Sequence, residues 1–154
     1  MSTLSEFQRI MQQVESEAHD ARRADLCDLA ARIADQIGDV ERGFEAREAL
    51  MEAAVFSGQA DRAMVAFAWC LAQCDAKTTS RSIDTLFWPY KWIVSSLVSF
   101  PQISRSRILD AWQDMARRYE AEGVGERAKW MLLCHIHTHM GDTVEAEEAY
   151  RRWI

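Results

Sequence analysis

The sequence predicts an all-α fold of eight helices, and three observations point to it. Apolar residues recur at three- and four-residue spacing through most of the chain, the period of an amphipathic helix. Only six glycines and two prolines interrupt the 154 residues, too few for the many turns of a strand-rich domain. The breaks between periodic stretches fall at helix-capping residues, with Thr3, Asp20 and Asp39 ahead of helices and Gly38, Gly58 and Gly141 behind them.

Taken in order, the first helix is expected near Leu4, where Thr3 and Glu6 form a capping box. Its apolar stripe is Leu4, Phe7, Ile10, Met11, Val14 and Ala18, and His19-Asp20 breaks it. The second helix carries Leu26, Leu29, Ala30, Ile33 and Ile37 and ends at Gly38. Asp39 caps the third, whose packing face is Val40, Phe44, Arg47, Leu50, Met51 and Ala54. After Ser57-Gly58 the fourth brings Ala60, Ala63, Met64, Phe67 and Leu71 inward. Residues 75–81 read as a polar linker. The fifth helix holds Ile83, Leu86, Phe87, Tyr90, Ile93, Val94 and Leu97 in phase across Pro89. That proline requires either a kink near residues 85–89 or a helix that starts just before it. The sixth runs from about Ser104 through Ile108, Leu109, Trp112, Met115 and Tyr119 to the Gly123–Gly125 break. Two short helices around the Gly141-Asp142 turn complete the set.

The last pair shows a repeat. Trp130, Leu133, Cys134, His137, Ala146 and Tyr150 have the same mutual spacing as Arg47, Leu50, Met51, Ala54, Ala63 and Phe67, with Gly141 and Gly58 at equivalent turns. This spacing resembles the tetratricopeptide repeat (TPR). The chain departs from that pattern in lacking the closing proline and in placing Met51 and Cys134 where a small residue is usual. The resemblance implies a right-handed superhelix of about four antiparallel helical hairpins in one domain over residues 1–154. It also implies a concave groove, lined by helices three, five and seven, that holds a peptide or a partner's helix. The residues it places in the groove are Glu45, Glu48 and Glu52, then Trp88 and Lys91, then Met131, His135 and His139.

Composition narrows the partner. Net charge is −6, and residues 1–76 carry 14 acids against 7 bases while residues 77–154 carry 10 against 11. The acidic first half argues against a nucleic-acid backbone as the main partner and suits a protein or peptide with basic and bulky apolar residues. No apolar run is long enough for a membrane span, and the start lacks the pattern of a signal peptide, so a cytoplasmic location is expected. Tyr150, Trp153 and Ile154 put apolar side chains on the final turns, as on a stacked hairpin that wants a cover. The expectation is self-association there, or a chain that continues or joins a larger assembly.

Chemistry has fewer candidates. His135 and His139 are four apart, the spacing of helical zinc ligands, but Ile136 stands where a zinc protease needs Glu and no third ligand is evident. Cys134 and His137 fall on the packing side. Cys70 and Cys74 share a helix face without forming a Cys-x-x-Cys motif. Glu41, Glu45, Glu48 and Glu52 form an acidic stripe with no nucleophile beside it. No phosphate-binding loop, dinucleotide fingerprint or nucleophile elbow is present. The function expected is therefore non-catalytic, a scaffold or adaptor without cofactor or metal. Two alternatives stand beside it: a regulatory module of a larger complex, and a helical metal-dependent enzyme using His135 and His139.

Overall fold

The computed structural model describes residues 3–18 and 20–154. It is all-α, with eight α-helices and no strand among those residues. They are α1 (Leu4–Ser16), α2 (Ala21–Ile37), α3 (Val40–Phe56), α4 (Ala60–Ala76), α5 (Phe87–Leu97), α6 (Arg105–Glu122), α7 (Glu126–Met140) and α8 (Thr143–Trp153), with a 3-10 turn at Ile83–Leu86. The chain divides into two compact units, Met1–Pro89 and Tyr90–Ile154.

Local capping chemistry sets most helix ends. The Thr3 hydroxyl accepts from the Glu6 amide, and the carboxylates of Asp20 and Asp39 accept from the amides of Arg23 and Arg42. Ser104 does the same for Arg107. Each satisfies an amide that has no partner inside its own helix. His19, expected to help break the first helix, lies outside the described residues. Pro89 stands at the third position of α5. There the missing amide is one of the four that a helix start leaves unpaired, so the helix begins just before the proline. The expected linker starts later than its composition suggested: Asp75 and Ala76 extend α4, and Lys77 closes the helix in the left-handed conformation at φ 57°.

In the first unit α2 packs against both α1 and α3, and α3 against α4. Phe7 and Ile10 of α1 meet Ala30, Ala31, Ile33 and Ala34 of α2 and Ala46 of α3. Because α2 has neighbours on two sides, its small residues Ala24, Cys27, Ala31 and Ala34 are buried while Leu29 is 43% exposed. Leu29 is thus a correction to the apolar stripe read for this helix.

Arg47 occupies the position where the repeat pattern has an aromatic. Its guanidinium makes two hydrogen bonds to Asp35, at 3.1 and 2.7 Å, and lies 3.9 Å from the centre of the Trp69 ring. Gly43, one turn earlier, leaves the room: a Cβ there would sit 3.2 Å from both Arg47 Nη1 and Trp69 Cη2.

In the second unit Tyr90, Ile93, Val94 and Leu97 of α5 are buried, as are Ile108, Met115, Ala116 and Tyr119 of α6. The Tyr90 hydroxyl donates to Asp114, which also accepts from Arg118 Nε at 2.8 Å. Helix α7 packs against α6 and, more extensively, against α8. The buried residue of α8 is Ala149, whereas Tyr150, the aromatic of the repeat spacing, is 47% exposed. The α8 packing position therefore lies one residue before the aromatic that the repeat pattern selects.

Candidate functional site

The α7–α8 hairpin turns at Gly141, whose φ of 77° is a conformation in which a side chain is strained. The Asp142 amide reaches back to the His137 carbonyl at 2.8 Å, which closes the turn. Asp142 precedes α8 but does not cap it with its side chain. Its carboxylate instead accepts from His137 Nδ1 at 2.9 Å and from Arg105 Nη1 at 2.8 Å. The hydrogen bond from His137, with the Arg105 guanidinium behind it, holds the Asp142 carboxyl below its ordinary value. An ionised carboxylate only accepts, so in this contact His137 Nδ1 carries a ring proton and donates it.

His137 lines a cavity of about 560 Å³ beside this turn. Its walls come from three helices: Trp112 of α6, Trp130 and Leu133 of α7, and Val144, Glu145, Glu148, Ala149, Arg151 and Arg152 of α8. The two indoles lie 5.7 Å apart, centre to centre, and are tilted by 46°. Each is fixed by polar groups. Trp112 Nε1 donates to the Lys129 carbonyl at 2.7 Å, and Trp130 Nε1 donates to Glu126 at 3.2 Å. The Arg152 guanidinium lies 4.7 Å from the Trp130 ring centre and donates to Glu148 at 3.3 Å. The result is an aromatic wall with an ionic rim, an arrangement suited to gripping an apolar group while orienting a polar one.

Lys129 lies behind this wall, 4% exposed, with its ammonium 2.6 Å from Glu120 and 2.9 Å from Glu126. Burial alone would depress that ammonium's pKa; the hydrogen bonds to the two carboxylates outweigh it and raise the value. On the other flank of the hairpin is a smaller cavity of about 270 Å³, with Cys134, Thr138, Ala146 and Tyr150 in its walls.

The residues expected in a groove lie on α3, α5 and α7. Met131, His135 and His139 line neither of the two cavities just described. The rings of His135 and His139 stand 4.5 Å apart, centre to centre, but no group of three or more His, Cys, Asp or Glu among the described residues could hold a metal ion. Trp88 is 64% exposed in the first turn of α5, and Lys91 is half-buried one turn on. At the chain's end Ile154 is 76% exposed, while Trp153 packs edge-on against Tyr150 and its carbonyl accepts from Arg127.

On α3 the acidic stripe already has an occupant. The Ser80 amide and hydroxyl donate to the Glu41 carboxylate at 2.8 and 3.0 Å, and Arg81 pairs with Glu48. The Arg81 guanidinium also lies 4.9 Å from the Phe44 ring centre. The Ser80 amide is the main reason that the Glu41 carboxyl sits below its ordinary value. Glu45 stays exposed on the same helix, and Glu52 lies near Cys27, whose thiol burial pushes up to about 11. Cys70 is pushed up to about 12 for the same reason, so both thiols stay protonated and unreactive at neutral pH.

The sequence places Trp112 in a packing stripe and Asp142 in a turn, but brings neither of them, nor Arg105, to a site. Arg105 and Asp142 are 37 positions apart and Trp112 and Lys129 are 17, so no local pattern announces them. His137 and Asp142 are joined across a glycine turn, and that spacing was a usable signal.

No family model, characterised protein or solved structure matches this chain. No helix among the described residues is long and apolar enough to cross a membrane.

Proposed function

We propose that the chain is a non-catalytic interaction module of tetratricopeptide-like hairpins, which binds a protein or peptide partner and acts as a scaffold or adaptor. The observation that carries this reading is the cavity of about 560 Å³ against the α7–α8 hairpin. That volume is within the roughly 300–1,000 Å³ typical of ligand sites, and exceeds one side chain. A bulky apolar residue of the partner packs against Trp112, Trp130 and Leu133. A basic residue next to it meets Glu145 and Glu148. The indoles are held by their own hydrogen bonds, so little ordering opposes binding. In this reading Glu45, Glu48, Glu52 and Trp88 are further contact positions on the first unit, and Lys91, Met131, His135 and His139 are further contact positions on the second.

Selection of peptides from a random library on the immobilised chain tests the reading. Enriched peptides should share a bulky apolar residue beside a basic one. Val144→Asp, at an exposed site on the cavity wall, should weaken them at least about tenfold, and Trp88→Ala and Glu48→Lys should weaken those that bind the first unit. No enrichment, or binding indifferent to all three substitutions, overturns it.

A further inference from the structure

The outward ridge of α8 carries a self-complementary pattern. Its buried side is Ala149, with Ala146 and Trp153 half-buried on the same face. Opposite them lie Val144, Glu147 and Arg151 of the helix and Ile154 at its C-cap, spaced three, four and three. Val144 and Ile154 are 77% and 76% exposed, and the side chains of Glu147 and Arg151 are each 69% exposed. This spacing is the a/d seam of a helix pair. Read from either end, the seam runs apolar, charged, charged, apolar, with the sign of charge inverted.

We infer that a second copy of this chain is the occupant of the ridge, through antiparallel pairing of the two α8 helices about a twofold axis near Ala149. In that register Val144 of one copy meets Ile154 of the other, and Glu147 meets Arg151, each contact occurring twice. Antiparallel seams match a positions with d positions in this way. Charge selects the direction: a parallel pair sets Glu147 against Glu147 and Arg151 against Arg151, which repels. In the single chain Arg151 lies 3.8 Å from Glu147 and 3.8 Å from Glu148 across solvent, so pairing between copies exchanges weak contacts for one beside apolar neighbours. One short helix from each copy buries less than a standard interface, so the association is reversible and concentration-dependent. It does not rest on the binding function proposed above, although Val144, Glu147 and Arg151 also edge the large cavity.

Sedimentation velocity from about 10 µM to about 1 mM, a range set by the small interface, tests it. The natural chain should shift from monomer towards dimer over that range. Glu147→Arg alone and Arg151→Glu alone should each remain monomeric, because each sets like charges against one another at the seam. An equimolar mixture of the two variants should associate, since both charged contacts between the unlike copies then pair an arginine with a glutamate. The double swap in one chain should associate like the natural protein, while keeping the pair within the helix. Circular dichroism checks that every variant keeps its helix content. A natural chain that stays monomeric at the highest concentration overturns the inference. So do single variants that associate undiminished, or a mixture and double swap that stay monomeric.

Discussion

His137 and Asp142 face each other across the Gly141 turn, Nδ1 to Oδ2 at 2.9 Å, and Arg105 of α6 closes on the same carboxylate. One side chain thereby ties together the end of α7, the start of α8 and the start of α6. Its pKa is depressed, so the sign of its pH effect is fixed. The contribution to stability is complete above the ordinary carboxylate value of 3.8 and is lost as pH falls through the lower folded value. The melting temperature of the natural chain should therefore fall between about pH 5 and about pH 2. Asp142→Asn should melt lower at neutral pH and lose less on acidification. Thermal melts across that range check it, and equal acid sensitivity of the two proteins contradicts it.

Gly125 and Gly123 both have positive φ, at 70° and 68°, but their surroundings differ. A Cβ at Gly123 meets nothing, whereas a Cβ at Gly125 overlaps the ring of Tyr119, which is 1% exposed. Gly123→Ala should cost about 1 kcal/mol, the strain of a left-handed alanine. Gly125→Ala should cost about 2–4 kcal/mol, since the ring must also move within a packed core. Urea unfolding of the two variants measures the difference.

Arg47→Lys should destabilise the first unit by about 1–2 kcal/mol, although charge is conserved. A lysine cannot make the paired bonds to Asp35 or lie flat on Trp69. Denaturant unfolding, with Asp35→Asn as a second variant of the same contact, checks this. A change under about 0.3 kcal/mol for both means the pairing contributes nothing.

The Ser80 amide should exchange slowly for a loop residue, because it is bonded to Glu41. Glu41→Ala should speed its exchange about tenfold or more, and Arg81→Ala should do so to a lesser extent. Hydrogen exchange followed by NMR reads both, and an unchanged Ser80 rate shows that the segment is held by other contacts.

Helix starts and stops were legible because their causes are local. Asp20, Asp39 and Ser104 each bond an amide three residues on, and Gly38, Gly123 and Gly141 each supply a left-handed residue. Burial was legible where large apolar residues mark the packing face, as in α1, where Phe7, Ile10 and Val14 are all buried, and in α3, where Phe44, Leu50 and Met51 are. In α2, with a neighbour on each side, periodicity chose Leu29 over Cys27 and Ala31. The cavity was not legible, since Trp112, Trp130 and Arg152 come from three helices and meet only through tertiary packing. The acidic stripe on α3 was visible, but its contact with Arg81 was not: that pairing spans 33 residues and depends on how the segment after Lys77 folds back.

The enclosure of Lys129 has a chemical consequence. The chain has three lysines, at 77, 91 and 129. Lys77 is exposed, Lys91 is half-buried and Lys129 is nearly inaccessible, with its ammonium held by two carboxylates. A primary amine must shed its proton and meet its reagent to be acylated. Brief treatment with an amine-directed ester should therefore tag Lys77 first among the lysines and leave Lys129 untouched until the second unit opens. A fluorophore or surface tether can then be placed on the first unit without mutation, and the appearance of label at Lys129 becomes a clock for unfolding of the other.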